Sequence, residues 1–171
     1  MKRGLFIGRF QPPHLGHIYA IKSALSECDE LVIVVGSAQY SYTLKNPFTA
    51  GERIEMLRLA LLEEGIDLSK IFIVPVPDVG EHVVWISKVK TFCPRFDVVY
   101  TNNPLVRRLF LDAGYPVKSL KPYRRDFEMG TKIRELMLKG EPWKDLVPRS
   151  VAEFIEKIGG VERLKEICSR D

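Results

Sequence analysis

Cysteine, histidine and tryptophan are the scarce residues of this 171-residue chain, at three, three and two copies. The cysteines, Cys28, Cys93 and Cys168, stand far apart with no Cys-x-x-Cys pair. That spacing argues against a thiol zinc or redox site and leaves them as buried or incidental thiols. No apolar run approaches the ~20 residues that a membrane helix needs, so no membrane partner is expected. Met1 leads within a few residues into a core-type strand, which leaves no room for a signal peptide and makes the cytoplasm the expected location. Internal repeats, low-complexity tracts, flexible linkers and clustered carboxylates are all lacking. A strong charge imbalance is lacking too: 26 Lys and Arg against 22 Asp and Glu give a net charge of +4. The densest basic group, Tyr123-Arg124-Arg125, is balanced at once by Asp126 and Glu128. A nucleic-acid duplex would call for a basic stripe, so a phosphate-sized partner fits better and no nucleic acid is expected.

What is present is ordinary globular material. Hydrophobic residues at 46% and charged residues at 28% exclude disorder and fibrous repeats, and the length suits one domain over 1–171. Apolar, β-branched runs at 4–8, 31–35, 71–76, 97–101 and 115–120 read as strands. Stretches of helical period lie between them, beginning near His17, after Thr49, at His82 and at Pro104. The alternation predicts an α/β fold: a doubly wound, Rossmann-like parallel sheet of about five strands with helices on both faces. Residues to about 140 form that core. A late helix runs from Gly130 to Lys139, and two short helices, 151–158 and 161–167, make a C-terminal helical appendage over about 141–171.

Particular residues sharpen the element boundaries. Thr49 followed by Glu52 has the spacing of a capping box, in which hydroxyl and carboxylate each satisfy an orphan amide. Ile54, Leu57, Leu61 and Leu62 should form the apolar face of that helix, and Val83, Ile86 and Val89 that of the next. In parallel sheets ligands bind at the edge carrying the loops after the strands. Chemistry is therefore sought in residues 8–17, 37–48, 77–85, 101–104 and 122–134.

The most informative stretch is Gly8-Arg9-Phe10-Gln11-Pro12-Pro13-His14-Leu15-Gly16-His17. With a helix beginning near His14, the two imidazoles lie one turn apart at an amino-terminal end that already favours an anion. Gly16 lets a bulky nucleotide approach the backbone, and Arg9 supplies a charge that imidazole does not guarantee at neutral pH. Zinc is the other chemistry two histidines serve, but no third ligand is patterned nearby. Gly130-Thr131 offers a second helix amino terminus, with Arg134 one turn along. Trp85 has a flat face that can stack on a cationic pyridinium, and core packing is the competing reading. Asp78 can accept from a ribose or amide, or merely shape its loop.

The His-x-Gly-His loop after a first strand resembles the nucleotidylyltransferase superfamily, and its longer wording resembles the archaeal type of nicotinamide-mononucleotide (NMN) adenylyltransferase. The likeness continues through Gly36-Ser37-Ala38-Gln39, Pro47 to Arg53, Asn103-Pro104-Leu105-Val106 and Gly130 to Arg134. It implies an enzyme of NAD biosynthesis, which transfers AMP from ATP to NMN with Mg²⁺ carried on the substrate phosphates and no metal bound by the protein. Nicotinic acid mononucleotide is left open as acceptor, phosphopantetheine is the rival within the same chemistry, and a non-catalytic nucleotide sensor is the rival outside it. The resemblance implies that Gly8, Arg9, Phe10, His14, Gly16, His17, Asn103, Gly130, Thr131 and Arg134 bind ATP. It further implies catalysis by His14, His17, Arg9, Arg134 and Lys45, where relatives often have arginine, and NMN binding by Ser37, Asp78 and Trp85. Met129 stands where relatives usually have serine. A homo-oligomer is expected, with a hexamer as the family precedent.

Overall fold

The computed structural model describes residues 1–123 and 129–169, so Arg124, Arg125, Asp126 and Glu128 of the charged group lie outside the described residues. Five strands form one sheet: β1 Arg3–Gly8, β2 Glu30–Val35, β3 Ile71–Pro75, β4 Val98–Tyr100 and β5 Val117–Lys118. All neighbours pair in parallel, in the order β3-β2-β1-β4-β5. Seven helices are described: α1 Leu15–Leu25, α2 Ala50–Glu63, α3 His82–Phe92, α4 Pro104–Asp112, α5 Met129–Lys139, α6 Arg149–Lys157 and α7 Gly160–Cys168.

Successive strand residues point to opposite faces, and the core divides accordingly. Leu5, Val32, Val34 and Val99 meet Ile86 and Val89 of α3 and Phe110 of α4 on one face. Phe6, Leu31, Ile33 and Val35 meet Ile21 and Ala24 of α1 and Leu57 and Leu61 of α2 on the other. Strand β2, buried along Leu31–Val35, must be apolar at every position because both its faces are covered. The doubly wound, two-faced sheet read from the sequence is therefore the fold.

Some expected faces shift. Leu62 is 50% exposed and Met56 and Ala60 are buried instead, because one helical step past Leu61 turns a side chain out of the stripe. Val83 is 75% exposed in the first turn of α3, while Ile86 and Val89 carry its packing. Only Val117–Lys118 of the run 115–120 pairs as strand, since Tyr115 turns inward to stack on Phe96 at 4.6 Å.

A third apolar cluster joins the C-terminal helices to the sheet layers. Val151, Phe154 and Ile155 of α6 and Leu164 of α7 pack with Met56 and Ala60 of α2, Ile133 and Met137 of α5, and Phe48. Beside it, the expected capping box is present: Thr49 Oγ1 accepts from Glu52 N, and Glu52 Oε1 accepts from Thr49 N. Arg163 of α7 donates to both oxygens of Glu52, at 2.7 and 2.8 Å, and to Pro47 O at 3.1 Å. Its guanidinium also lies 4.3 Å from the Tyr42 ring centre. The C-terminal helices thus anchor the loop leading into α2.

The Arg163 hydrogen bond is the main reason the Glu52 carboxyl sits below its ordinary range, with burial opposing and Thr49 assisting. A depressed carboxylate adds stability above its unfolded value of about 4.3, and that stability is lost as pH falls through the lower folded value. Arg163→Ala should lower unfolding free energy by about 2 kcal/mol near neutral pH and flatten the acid side of the stability profile, read by urea melts across pH. A Cβ on Gly160 would come within 2.8 Å of Ile155 Cγ2 and 2.9 Å of Phe48 Cε1. Gly160→Ala should therefore cost about 1–3 kcal/mol in the same melts.

Candidate active site

Sheet order reverses between β1 and β4, so the loops leaving these two strands diverge and leave a crevice at their carboxyl ends. The first loop is stiffly built. Phe10 takes a left-handed backbone conformation, with φ 55°, and its buried ring lies across Gly8, where a Cβ would come within 2.9 Å of it. Gln11, also buried, donates from Nε2 to Phe48 O and accepts at Oε1 from Phe48 N. The Gln11–Pro12 peptide is cis.

Helix α1 starts earlier than its apolar period suggested, at Leu15 with His14 as its N-cap, because the two histidines cap each other's amides. His14 N donates to His17 Nδ1 at 3.2 Å, and His17 N donates to His14 Nδ1 at 3.4 Å. A ring nitrogen that accepts carries no proton, so Nε2 is the N–H donor of each ring. The rings stack with centres 3.6 Å apart, and His17 also rests 4.5 Å from Phe10. Burial first, and the neighbouring His14 second, hold the His17 pKa well below the ordinary imidazole value. Gly16 has a function the sequence did not show: a Cβ there would lie 3.0 Å from His14 Cε1 and Nδ1. Glycine is thus needed for the His14 ring to fold over the helix start.

Two clefts meet at these rings. The smaller, about 170 Å³, is lined by Arg9, Phe10, Gln11, His14, His17, Gly130, Thr131 and Arg134. Arg134 Nη1 donates to Gln11 O at 2.9 Å, and Nη2 donates to Thr131 Oγ1 at 3.3 Å. Burial lowers the Arg134 pKa and Arg9 lowers it further, with Glu135 opposing. Two permanent cations therefore converge on a cleft that no carboxylate lines among the described residues, which is an anion site by construction. The larger cleft, about 420 Å³, shares Arg9, His14 and His17, adds Gly16, and extends past Thr101, Asn102, Asn103 and Leu120 to Tyr123. Asn103 caps α4 by accepting from Leu105 N and Val106 N, and Asn102 pairs with both backbone groups of Leu120.

The other expected residues sit outside both clefts. Ser37 Oγ donates to Asp78 Oδ2 at 2.7 Å, and Gln39 pairs with the Asp78 backbone through two bonds of 2.8 Å. Ser37 and Asp78, expected together, are thus brought together beyond β2 and β3. Trp85 is half-buried in α3, its ring edge-on to Phe110 at 5.9 Å, so it shares in the core packing that competed with stacking. Lys45 is exposed in the loop before α2 and lines neither cleft. Met129 is buried with Ile18 and Ile133, so it packs inward from the start of α5. Among the described residues, no group of three His, Cys, Asp or Glu side chains converges as a metal site.

Arg53 is the organising residue that sequence reasoning missed. Fully buried in α2, it donates to the carbonyls of Arg9, Gly36, Ser37, Tyr40 and Thr49. Burial, followed by the nearby charge of Arg9, brings its pKa down to about 10, with Glu52 opposing, so it stays charged at neutral pH. Its signal was its place on the helix: it precedes the buried Met56 and Leu57 by three and four residues, which sets it on the inward stripe. For the histidines, long-range ¹H–¹⁵N spectra should show His17 as the neutral Nε2–H tautomer throughout the range in which a free imidazole titrates. A His17 charging near pH 6.5 would contradict the geometry.

The comparisons with known proteins agree with this arrangement. The cytidylyltransferase-like family matches residues 5–136. A nicotinamide-nucleotide adenylyltransferase of Pyrobaculum aerophilum is 57% identical over 166 residues, covering 96% of this chain and 93% of that one. The protein of the same name from Pyrobaculum arsenaticum is 54% identical over 170 residues, covering 99% and 96%. In fold, the chain is similar to a bifunctional NMN adenylyltransferase/ADP ribose pyrophosphatase from Francisella tularensis, crystallised with AMP and a manganese ion. The TM-score is 0.79 at 23% identity over 96% of this chain, which spans about half of that protein, 52%. With the family matching over most of its length and relatives above half identity end to end, the chain belongs to the cytidylyltransferase-like family, among the archaeal nicotinamide-nucleotide adenylyltransferases.

Proposed function

We propose that the chain transfers AMP from ATP to nicotinamide mononucleotide, giving NAD and pyrophosphate, with the two joined clefts as its ATP site. The observation that carries this is their shared wall. Arg9, His14 and His17 line both the small cationic cleft and the larger one, so a triphosphate in the first continues into a nucleoside in the second. The β- and γ-phosphates meet Thr131, Arg134 and backbone amides at the start of α5, and the histidine Nε2–H groups face the phosphate chain. Phe10, Gly16 and Gly130 shape the walls, Gly8 lies behind the Phe10 ring, and Asn103 borders the nucleoside end. Ser37, Asp78 and Trp85 take the acceptor, with the indole face against the cationic pyridinium. Lys45 adds a further cation for the phosphates.

The chemistry needs little covalent help. An oxygen of the acceptor's 5′-phosphate, already anionic at neutral pH, attacks the α-phosphorus of ATP in line. A new P–O bond forms as the bond to the β-phosphate oxygen breaks, and pyrophosphate leaves with the electron pair. The obstacle is bringing two polyanions together, so positioning, charge neutralisation by Arg9, Arg134 and Lys45, and hydrogen-bond donation by His14 and His17 supply the acceleration. Neutral imidazoles suit this function: as fixed N–H donors they need no proton movement. With no carboxylate among the described residues lining the cleft, Mg²⁺ would arrive on ATP and would supply neutralisation of phosphate charge. A cytoplasmic setting belongs to the same reading, supported by the three free thiols. So does self-association, with a hexamer as the family precedent. Among the described residues, no helix is long and apolar enough to cross a membrane.

Incubation with ATP, Mg²⁺ and an equal mixture of NMN and nicotinic acid mononucleotide, followed by product identification, should yield NAD and pyrophosphate. Absence of any dinucleotide would reject the reading. Replacing both His14 and His17 with alanine should lower kcat/KM by at least about 1,000-fold, and undiminished synthesis would remove the proposed phosphate clamp. Arg134→Ala should cost about 100-fold, mostly in kcat if the contact tightens during transfer and in the ATP KM if it does not.

A further inference from the structure

Arg53 lines neither cleft and has no surface, yet all five of its N–H donors are committed to backbone carbonyls. Those carbonyls are not a random set. Arg9 O belongs to the loop after β1, which carries the histidines and borders both clefts. Gly36 O, Ser37 O and Tyr40 O belong to the loop after β2, which holds Asp78 through Ser37 and Gln39. Thr49 O is the N-cap of its own helix. One rigid planar group therefore ties the phosphate side of the site to the side where Ser37 and Asp78 stand.

Resting on the adenylyl-transfer reading above, we propose that Arg53 is a positioning residue for the reaction: it fixes the ATP-side loop and the acceptor-side loop relative to one another, so that the attacking oxygen and the α-phosphorus are in line. Stability alone is a poor reason for such a group. Burying a guanidinium with no carboxylate bonded to it is costly, and well-packed apolar residues commonly do as well or better. Backbone carbonyls also carry no side-chain chemistry to exploit, so what the five bonds deliver is geometry. Lysine cannot replace it, because a single ammonium offers three donors from one point where the guanidinium spreads five across a plane.

The position explains two further features. Ser37 adopts a left-handed conformation, with φ 49°, an unfavourable state for a non-glycine residue that needs outside restraint. The Arg53 bonds to Gly36 O and Ser37 O supply that restraint at the point where Ser37 Oγ reaches Asp78. Gly36 N in turn donates to Gly8 O at 2.8 Å, so the two loops leave their strands already in register, and Arg53 extends that register one residue further on each side.

The test is Arg53→Lys in the full chain, with wild type alongside. ATP and NMN affinities are measured separately by calorimetry, and initial rates are normalised to the calorimetric number of ATP sites. Misalignment by about an ångström should lower kcat by about 100-fold, while each KM and dissociation constant moves less than about 5-fold. A variant that loses sites or melts early but keeps wild-type kcat per site has a merely structural arginine, and the proposal falls. If wild type itself makes no dinucleotide, the underlying reading has failed instead. Should Arg53→Lys not fold, hydrogen exchange on wild type decides. A non-hydrolysable ATP analogue alone should slow exchange of the amides of residues 36–40, which line neither cleft, and unchanged exchange there overturns the proposal.

Discussion

The site depends on one reciprocal interaction, in which His14 and His17 each cap the other's backbone amide through Nδ1. That pairing settles three matters at once. It starts α1 at Leu15 and so fixes where free amides point. It assigns the proton of each ring to Nε2 and so decides which edge donates. It also stacks the rings, which together with burial keeps His17 neutral. In an ordinary capping box a hydroxyl and a carboxylate satisfy the helix start and do nothing more. Here the capping groups have a second polar atom, on rings that line the crevice at the sheet's switch point.

The cost of this arrangement falls on charge. Arg9 and Arg134 lie close enough to depress the Arg134 pKa, and Arg53 experiences the same field from beneath. Like charges held together destabilise an empty fold and favour a bound polyanion. The rest of the chain restrains them. Arg134 hangs on Gln11 O, Gln11 grips both backbone groups of Phe48, and Phe48 lies under Gly160 beside Arg163. A continuous line of contacts thus runs from the C-terminal helix to the cleft lined by Arg9 and Arg134. Helices α6 and α7 belong to the same core as α2 and α5.

Much of this was legible in the sequence because it was written in side chains. The uninterrupted apolar run of β2, the Thr49–Glu52 spacing and the Gly and Pro punctuation each have a local cause, and the alternation of strands and helices followed, with β5 shorter and α1 starting earlier than expected. The gathering of Arg9, His14, His17, Thr131 and Arg134 followed from the rule that places loops at the carboxyl edge of a parallel sheet. What stayed hidden was written in the backbone. Arg53 bonds only to carbonyls, which every residue possesses, so nothing in the chain marks its partners. Leu62 and Val83 were misplaced because a helical period states which residues share a face, and not where the neighbouring layer ends. Gly16 was read as space for a ligand, while its closest neighbour is the ring two residues earlier.

Met129 shows how a departure from the expected pattern is absorbed. Its side chain belongs to the core shared with Ile18 of α1 and Ile133 of α5, and its sulfur lies 3.9 Å from where a Cβ on Gly16 would be. The first residue of α5 therefore packs against the starting turn of α1 from inside, on the far side from the cleft. The serine that the resemblance led one to expect would give a hydroxyl there, but it would forgo most of that apolar contact. With methionine, the two helix starts are held against each other by packing, and the polar work passes to groups that already face the cleft: Thr131 Oγ1, the guanidinium of Arg134 and the amides between them. The polar lining of the smaller cleft thereby rests on a packed helix start, as the histidines do at the other wall.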